Sequence, residues 1–150
     1  MVGGVDMETK FNFKSQICTS RVQSERLLAL GLKKETADMT IHLKRDGGWY
    51  VTADPFYEWE DDVDILPILE ETEQILPAWS LHRIIEMMPL DVVPEGGLDN
   101  CFTLIKNYPK GYSVEYDGFS FYYNKNIYDT LIEGIEHLIK EGYFNKEYLV

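Results

Sequence analysis

The segment that most constrains the fold is YSVEY-DG-FSFYY, Tyr112 to Tyr123, where apolar and polar side chains alternate on both sides of Asp117-Gly118. Asp-Gly suits the positive backbone angles of a two-residue type I′ turn. Pairing Tyr116 with Phe119 sets Val114 against Phe121 and Tyr112 against Tyr123, so Tyr112, Val114, Tyr116, Phe119, Phe121 and Tyr123 share one face. Ser113, Glu115, Ser120 and Tyr122 occupy the other. A sheet with one apolar face needs a cover, and the next segment, NIYDTLIEGIEHLIKEG, supplies it. Asn126 caps a helix with Asp129 three residues on, Ile127, Leu131, Ile135 and Leu138 recur along one side, Ile132 and Ile139 widen that stripe, and Gly142 ends it. The predicted fold is α+β: an antiparallel sheet built from hairpins, with helices packed on one face.

A chain of 150 residues, 45% of them apolar, forms a core without metal or disulfide support. One α+β domain is expected over 11–150, after a flexible leader over 1–10 in which Met7 offers a second start. Thr19 or Ser20 caps a helix through RVQSERLLALGL, with Leu27, Leu28 and Leu32 inward and Gly31 closing it. MTIHLKRDGGWYVTA alternates around Asp46-Gly47-Gly48. A three-residue loop there pairs Arg45 with Trp49 and Leu43 with Val51, turning Leu43, Val51 and one of Trp49 and Tyr50 toward a core. Pro55, Pro67 and Pro77 divide the next stretch, in which ILEETEQIL reads as a short helix with Ile68, Leu69, Ile75 and Leu76 inward. AWSLHRIIEMMP is a helix capped by Ser80 and stopped by Pro89, with Leu81, Ile84, Ile85 and Met88 on its inner side. LDVVPEGGLDN reads as a loop, CFTLIKNY as a strand and YPKGY as a turn.

Charge bears most directly on function. From Asp46 to Ile105 there are fourteen acidic residues and one basic one, Arg83, while the rest of the chain carries thirteen Lys and Arg against twelve Asp and Glu. A region of one sign selects partners of the other. Its densest part, Glu58, Glu60, Asp61, Asp62 and Asp64, is the candidate partner-binding set, and the expected partner is a basic protein. A pI near 4.6 argues against direct nucleic-acid binding, which draws on Lys and Arg to neutralise phosphates. The eight basic and five acidic residues of the first 45 read as a solvated helix face. No stretch approaches the roughly 20 apolar residues that span a bilayer, and the N-terminus has no secretory pattern. No membrane contact and a cytoplasmic location are therefore expected; oligomeric state has no signature.

No catalytic residue, cofactor or metal is expected. On a strand, Glu58, Glu60, Asp62 and Asp64 form a line rather than the cage of oxygens that Ca²⁺ or Mg²⁺ requires, and no D-x-D-x-D-G loop closes on a Glu. His42, His82 and His137 are scattered; His82 with Glu86 and His137 with Glu133 have the spacing of helix surface pairs. Cys18 and Cys101 read as reduced packing residues. Ser80 lacks the G-x-S-x-G turn, and Gly47-Gly48 and Gly96-Gly97 lack the Lys-Ser/Thr of a phosphate loop. The aromatic hairpin lacks the basic flank of a base-stacking platform. The alternative to an interaction protein is a small metal-dependent enzyme that gathers Glu58, Asp62, His82 and Glu86 around a divalent ion. A third reading is a self-assembling accessory component of a phage.

Three phrases, FNFKSQICTSRVQSERLLALGLKKETADM, PAWSLHRIIEMMP and YDTLIEGIEHLIKEGYFNKEYL, cover somewhat under half of the chain. They resemble a group of short uncharacterised proteins from mobile elements and prophages of gut Bacteroides-like bacteria. The likeness lies in whole phrases rather than in catalytic signatures. It therefore implies an origin and no activity, and assigns no functional residue.

Overall fold

The structure is a computed structural model that describes residues 15–56, 72–92, 100–106, 111–116, 119–120 and 126–150. In chain order these form α1 (Arg21–Ala29), β1 (Met39–Lys44), β2 (Trp49–Thr52), β3 (Thr72–Ala78), α2 (Leu81–Met87), β4 (Asp91–Val92), β5 (Asn100–Cys101), β6 (Thr103–Lys106), β7 (Tyr112–Tyr116), β8 (Phe119–Ser120) and α3 (Ile127–Glu141). The strands pair as β2-β1-β3, β4-β5 and β6-β7-β8, antiparallel throughout. This is the α+β arrangement that the sequence predicts. The leader over 1–10 lies outside the described residues.

Tyr116 pairs with Phe119 and Glu115 with Ser120, the register set by Asp117-Gly118; that turn and 121–123 lie outside the described residues. β7 turns Val114 and Tyr116 into the same buried cluster as Leu131, Ile132, Ile135 and Leu138 of α3. Asn126 accepts hydrogen bonds from the N–H groups of Tyr128 and Asp129 at the start of α3, and Gly142 closes the helix at φ +81°, a left-handed angle that favours a residue without Cβ. The Thr130 hydroxyl donates to the Tyr112 carbonyl at 3.2 Å, tying helix to strand. One expectation for this hairpin is corrected: Ser113, assigned to the wet face, is only 7% exposed. Ser113 lies beside Ile105 of β6, and a side chain this short is easily sheltered by its neighbours.

Ser20 and Gln23 form a reciprocal capping box at the start of α1, each satisfying a backbone N–H of the other. At the far end Gly31 N–H bonds Leu28 O, Leu32 N–H bonds Leu27 O, and Gly31 sits at φ +100°, which is the Schellman closure. α1 lies beside α3. Gln23 Nε2 donates to Asp129 Oδ1 at 2.8 Å near both helix starts, and Arg26 Nη2 meets Glu136 Oε2 at 2.7 Å further along both, so the two run in the same direction. Gln16 joins the knot, donating to Gln23 Oε1 at 2.7 Å and accepting from Asn126 Nδ2 at 3.1 Å.

The first hairpin departs from its predicted register. Leu43 pairs with Trp49 and Ile41 with Val51, not Arg45 with Trp49 and Leu43 with Val51. The loop does have three residues, but they are Arg45-Asp46-Gly47: Lys44 N–H bonds Gly48 O at 2.8 Å, and Gly47 takes φ +91°. A left-handed residue at the third loop position is what such a turn requires, and Asp46 Oδ1 fixes it by accepting from Gly48 N–H at 2.8 Å. The two-residue slip preserves facing, so Ile41, Leu43, Trp49 and Val51 share a side. Trp49 is nevertheless 67% exposed.

The helix expected over ILEETEQIL is also corrected, because Thr72–Ala78 is a strand paired along β1; Ile68 and Leu69 lie outside the described residues. Adjacent apolar residues suit a strand by pointing to opposite faces. Accordingly Leu76 joins Cys18, Ile41 and Ala78 in a small second cluster, while Ile75 packs against the main one. Pairing with β1 gives the backbone groups of the segment their partners, and Pro77 is tolerated because β3 is an edge strand. LDVVPEGGLDN, expected as a loop, pairs its ends as β4 and β5, and CFTLIKNY divides between β5 and β6. α2 is capped as expected, Ser80 Oγ accepting from Arg83 N–H at 3.1 Å; of its expected inner side Ile84 and Met88 are buried and Leu81 and Ile85 partly so, while Met87, not assigned inward from sequence, is buried too.

Candidate functional site

Glu58, Glu60, Asp61, Asp62 and Asp64 lie outside the described residues, so their placement rests on sequence alone. His82 and Glu86 do meet, Nε2 to Oε1 at 3.3 Å, on a side chain 85% exposed. An exposed pair of this kind contributes little. Among the described residues no three His, Cys, Asp or Glu side chains gather as a cation site, and no helix is long and apolar enough to cross a membrane. His42 is fully buried, stacked on Tyr50 at 4.4 Å and within 2.9 Å of the Thr52 hydroxyl. Burial lowers its pKa, with the Asp54 carboxylate pulling the other way.

A polar cluster gathers where Cys18 bridges to Ser80. Asp38 accepts two hydrogen bonds from Ser80, from its N–H at 2.9 Å and its hydroxyl at 2.5 Å, while the same hydroxyl caps α2. Ser80 is thus committed to holding backbone. Cys18 is a free, buried thiol, pushed up to about 11 by burial first and by Asp38 second. Burial, then nearby Cys18, pushes the Tyr128 hydroxyl up to about 12 against a backbone hydrogen bond from Leu81. These are protonated packing groups at neutral pH, as the sequence predicts for Cys18. In a Cys101→Ser background, iodoacetamide at pH 8 is expected to alkylate Cys18 about a hundredfold more slowly in the folded protein than in urea, because the thiolate is the nucleophile. Equal rates in the two conditions would contradict this.

On the other side of Cys18 the sheet face is open. A cavity of about 600 Å³ lies over it, walled by Ile17, Cys18, Ile41, Leu43 and Trp49, with Ser20 and Arg21 at the start of α1. Ile17 is 63% exposed and Trp49 67%, so two large apolar side chains stand largely exposed at this surface. Arg21 is the only charged side chain on the wall among the described residues, and its Nε contacts Glu25 Oε1 at 3.1 Å. A smaller polar recess of about 160 Å³ shares Arg21 and Leu43 and continues to Lys44, Gly48 and Glu73. Sequence reading assigned Leu43, Val51 and one of Trp49 and Tyr50 to a core face and missed the cavity, which arises only when 15–21 is laid across β1 and β2. The available signal was Ile17, an apolar residue just ahead of a helix cap.

Comparison of the chain with family profiles, curated proteins and solved structures returns no match.

Proposed function

We propose that the protein is a non-enzymatic interaction protein of the cytoplasm, whose acidic middle segment holds a basic protein partner. One observation carries the reading: from Asp46 to Ile105 fourteen carboxylates stand against a single cation in an otherwise balanced chain. Glu58, Glu60, Asp61, Asp62 and Asp64 are the expected contacts. Charge complementarity of this kind raises encounter rates and rejects partners of the wrong sign. Ser80 serves as a helix cap and Cys18 as buried packing, so neither stands as a free nucleophile. In its sharpest form the acidic segment imitates nucleic acid and occupies the DNA-binding surface of a host protein, a role suited to the mobile-element resemblance.

Capture from lysate tests the reading. Immobilised protein is expected to retain a basic partner at about 0.05 M salt and release it at about 0.5 M, where screening shortens electrostatic reach to a few ångströms. A variant carrying Gln or Asn at Glu58, Glu60, Asp61, Asp62 and Asp64 is expected to retain none. Equal retention by that variant, or no captured protein at either salt, removes the proposal.

A further inference from the structure

We propose that the cavity between the start of α1 and the β1–β2 hairpin binds a small monocarboxylate with an extended apolar body. The body rests on Ile41, Leu43 and Trp49, and the carboxylate meets Arg21. None of the residues invoked is among the proposed partner contacts Glu58, Glu60, Asp61, Asp62 and Asp64, so either proposal can fail without the other.

Size and shape point to a small molecule. At about 600 Å³ the cavity falls within the ~300–1,000 Å³ usual for small-ligand sites, and its walls have their character: largely apolar, with few polar groups. A protein surface would instead present a broad, shallow patch of about 800 Å² per partner. Ile17 and Trp49, left largely in water, gain from an apolar occupant, and the indole offers a flat face to it.

The charge at the rim selects the head group. Arg21 borders both the apolar cavity and the polar recess, so it marks where an amphipathic ligand changes character. A guanidinium has five N–H donors, and the contact recorded with Glu25 uses Nε alone. The paired Nη groups form the fork that matches a carboxylate. Arg21 also opens α1, so the positive end of the helix dipole lies at the same rim. A singly charged head fits the one guanidinium on the cavity wall; in the recess beyond, Lys44 adds a second cation, but Glu73 there and Glu25 on Arg21 offset the pair, so a doubly charged phosphate meets no net positive charge.

The test uses sodium decanoate and 1-decanol below micellar concentrations, followed by titration calorimetry and by Trp fluorescence. Decanoate is expected to bind saturably and more tightly than decanol. Arg21→Gln is expected to weaken decanoate about tenfold or more, the effect of losing a charge-assisted hydrogen bond, while leaving decanol unchanged. Unchanged decanol binding also reports that the cavity in that variant is intact. Trp49→Ala, at an exposed position, is expected to weaken both probes. Absence of saturable binding, decanol binding as tightly as decanoate, or decanoate affinity indifferent to Arg21→Gln would overturn the proposal.

Discussion

Trp79→Ala is expected to lower stability by about 3–5 kcal/mol, the range for truncating a large buried aromatic. Trp79 is wholly buried and belongs to the main cluster with Leu27, Ile84 and Leu131. Its indole N–H donates to Thr36 Oγ1 at 2.9 Å, so truncation leaves a void and removes one hydrogen bond from the Thr36 hydroxyl, which keeps its own donation to Lys33 O at 2.6 Å. Its backbone also joins β3 to the approach of α1, since Thr19 N–H bonds Trp79 O at 2.9 Å and Trp79 N–H bonds Thr19 Oγ1 at 3.0 Å. Against a total of about 5–15 kcal/mol for an ordinary domain, the loss brings the variant near its unfolding threshold. Urea denaturation reads it as a lower midpoint at unchanged slope. A loss below about 1 kcal/mol would show that the helices do not close over this side chain.

Asp38→Ala is expected to cost about 2–3 kcal/mol, in keeping with hydrogen bonds made to a charged acceptor. The carboxylate accepts from both the N–H and the hydroxyl of Ser80, and that hydroxyl in turn accepts from Arg83 N–H. Asp38 therefore orients the cap of α2 from a different part of the chain. A double-mutant cycle with Ser80→Ala separates this from general loosening: the two substitutions should couple by at least about 0.5 kcal/mol. Additive losses would mean that each residue acts alone. The same substitution removes the second cause of the raised Cys18 pKa, so alkylation of Cys18 should quicken.

Where structural signals are local, they were legible in the sequence. The Tyr116–Phe119 register, the caps at Ser80 and Asn126, and the closing glycines at 31 and 142 each depend on a few neighbouring residues, and each is found as read; of the two candidates for the first cap, Thr19 and Ser20, Ser20 takes the place. β3 was not legible because Ile75 and Leu76 fit a helix or a strand equally well, and β1, some thirty residues away, makes the choice. The Arg45-Asp46-Gly47 loop was misplaced by one position because Gly47 and Gly48 are equally permissive in sequence; the left-handed angle falls on Gly47. The cavity beside Cys18 belongs to no single segment, so no local pattern announces it. The acidic set from Glu58 to Asp64 stands in the opposite case, read from composition and supported by composition.

The knot of Gln16, Gln23, Asn126 and Asp129 joins positions up to 110 residues apart, and Lys33 and Gly31 bond back to Tyr148 and Val150. During translation, α1 emerges from the ribosome long before the helix that shields it. At about 5–20 residues per second, Leu27 waits roughly 5–20 s for α3, its apolar side open to chaperones and to other nascent chains. The packing of the early half of this molecule is thus timed by the emergence of α3, about a hundred residues later in the chain.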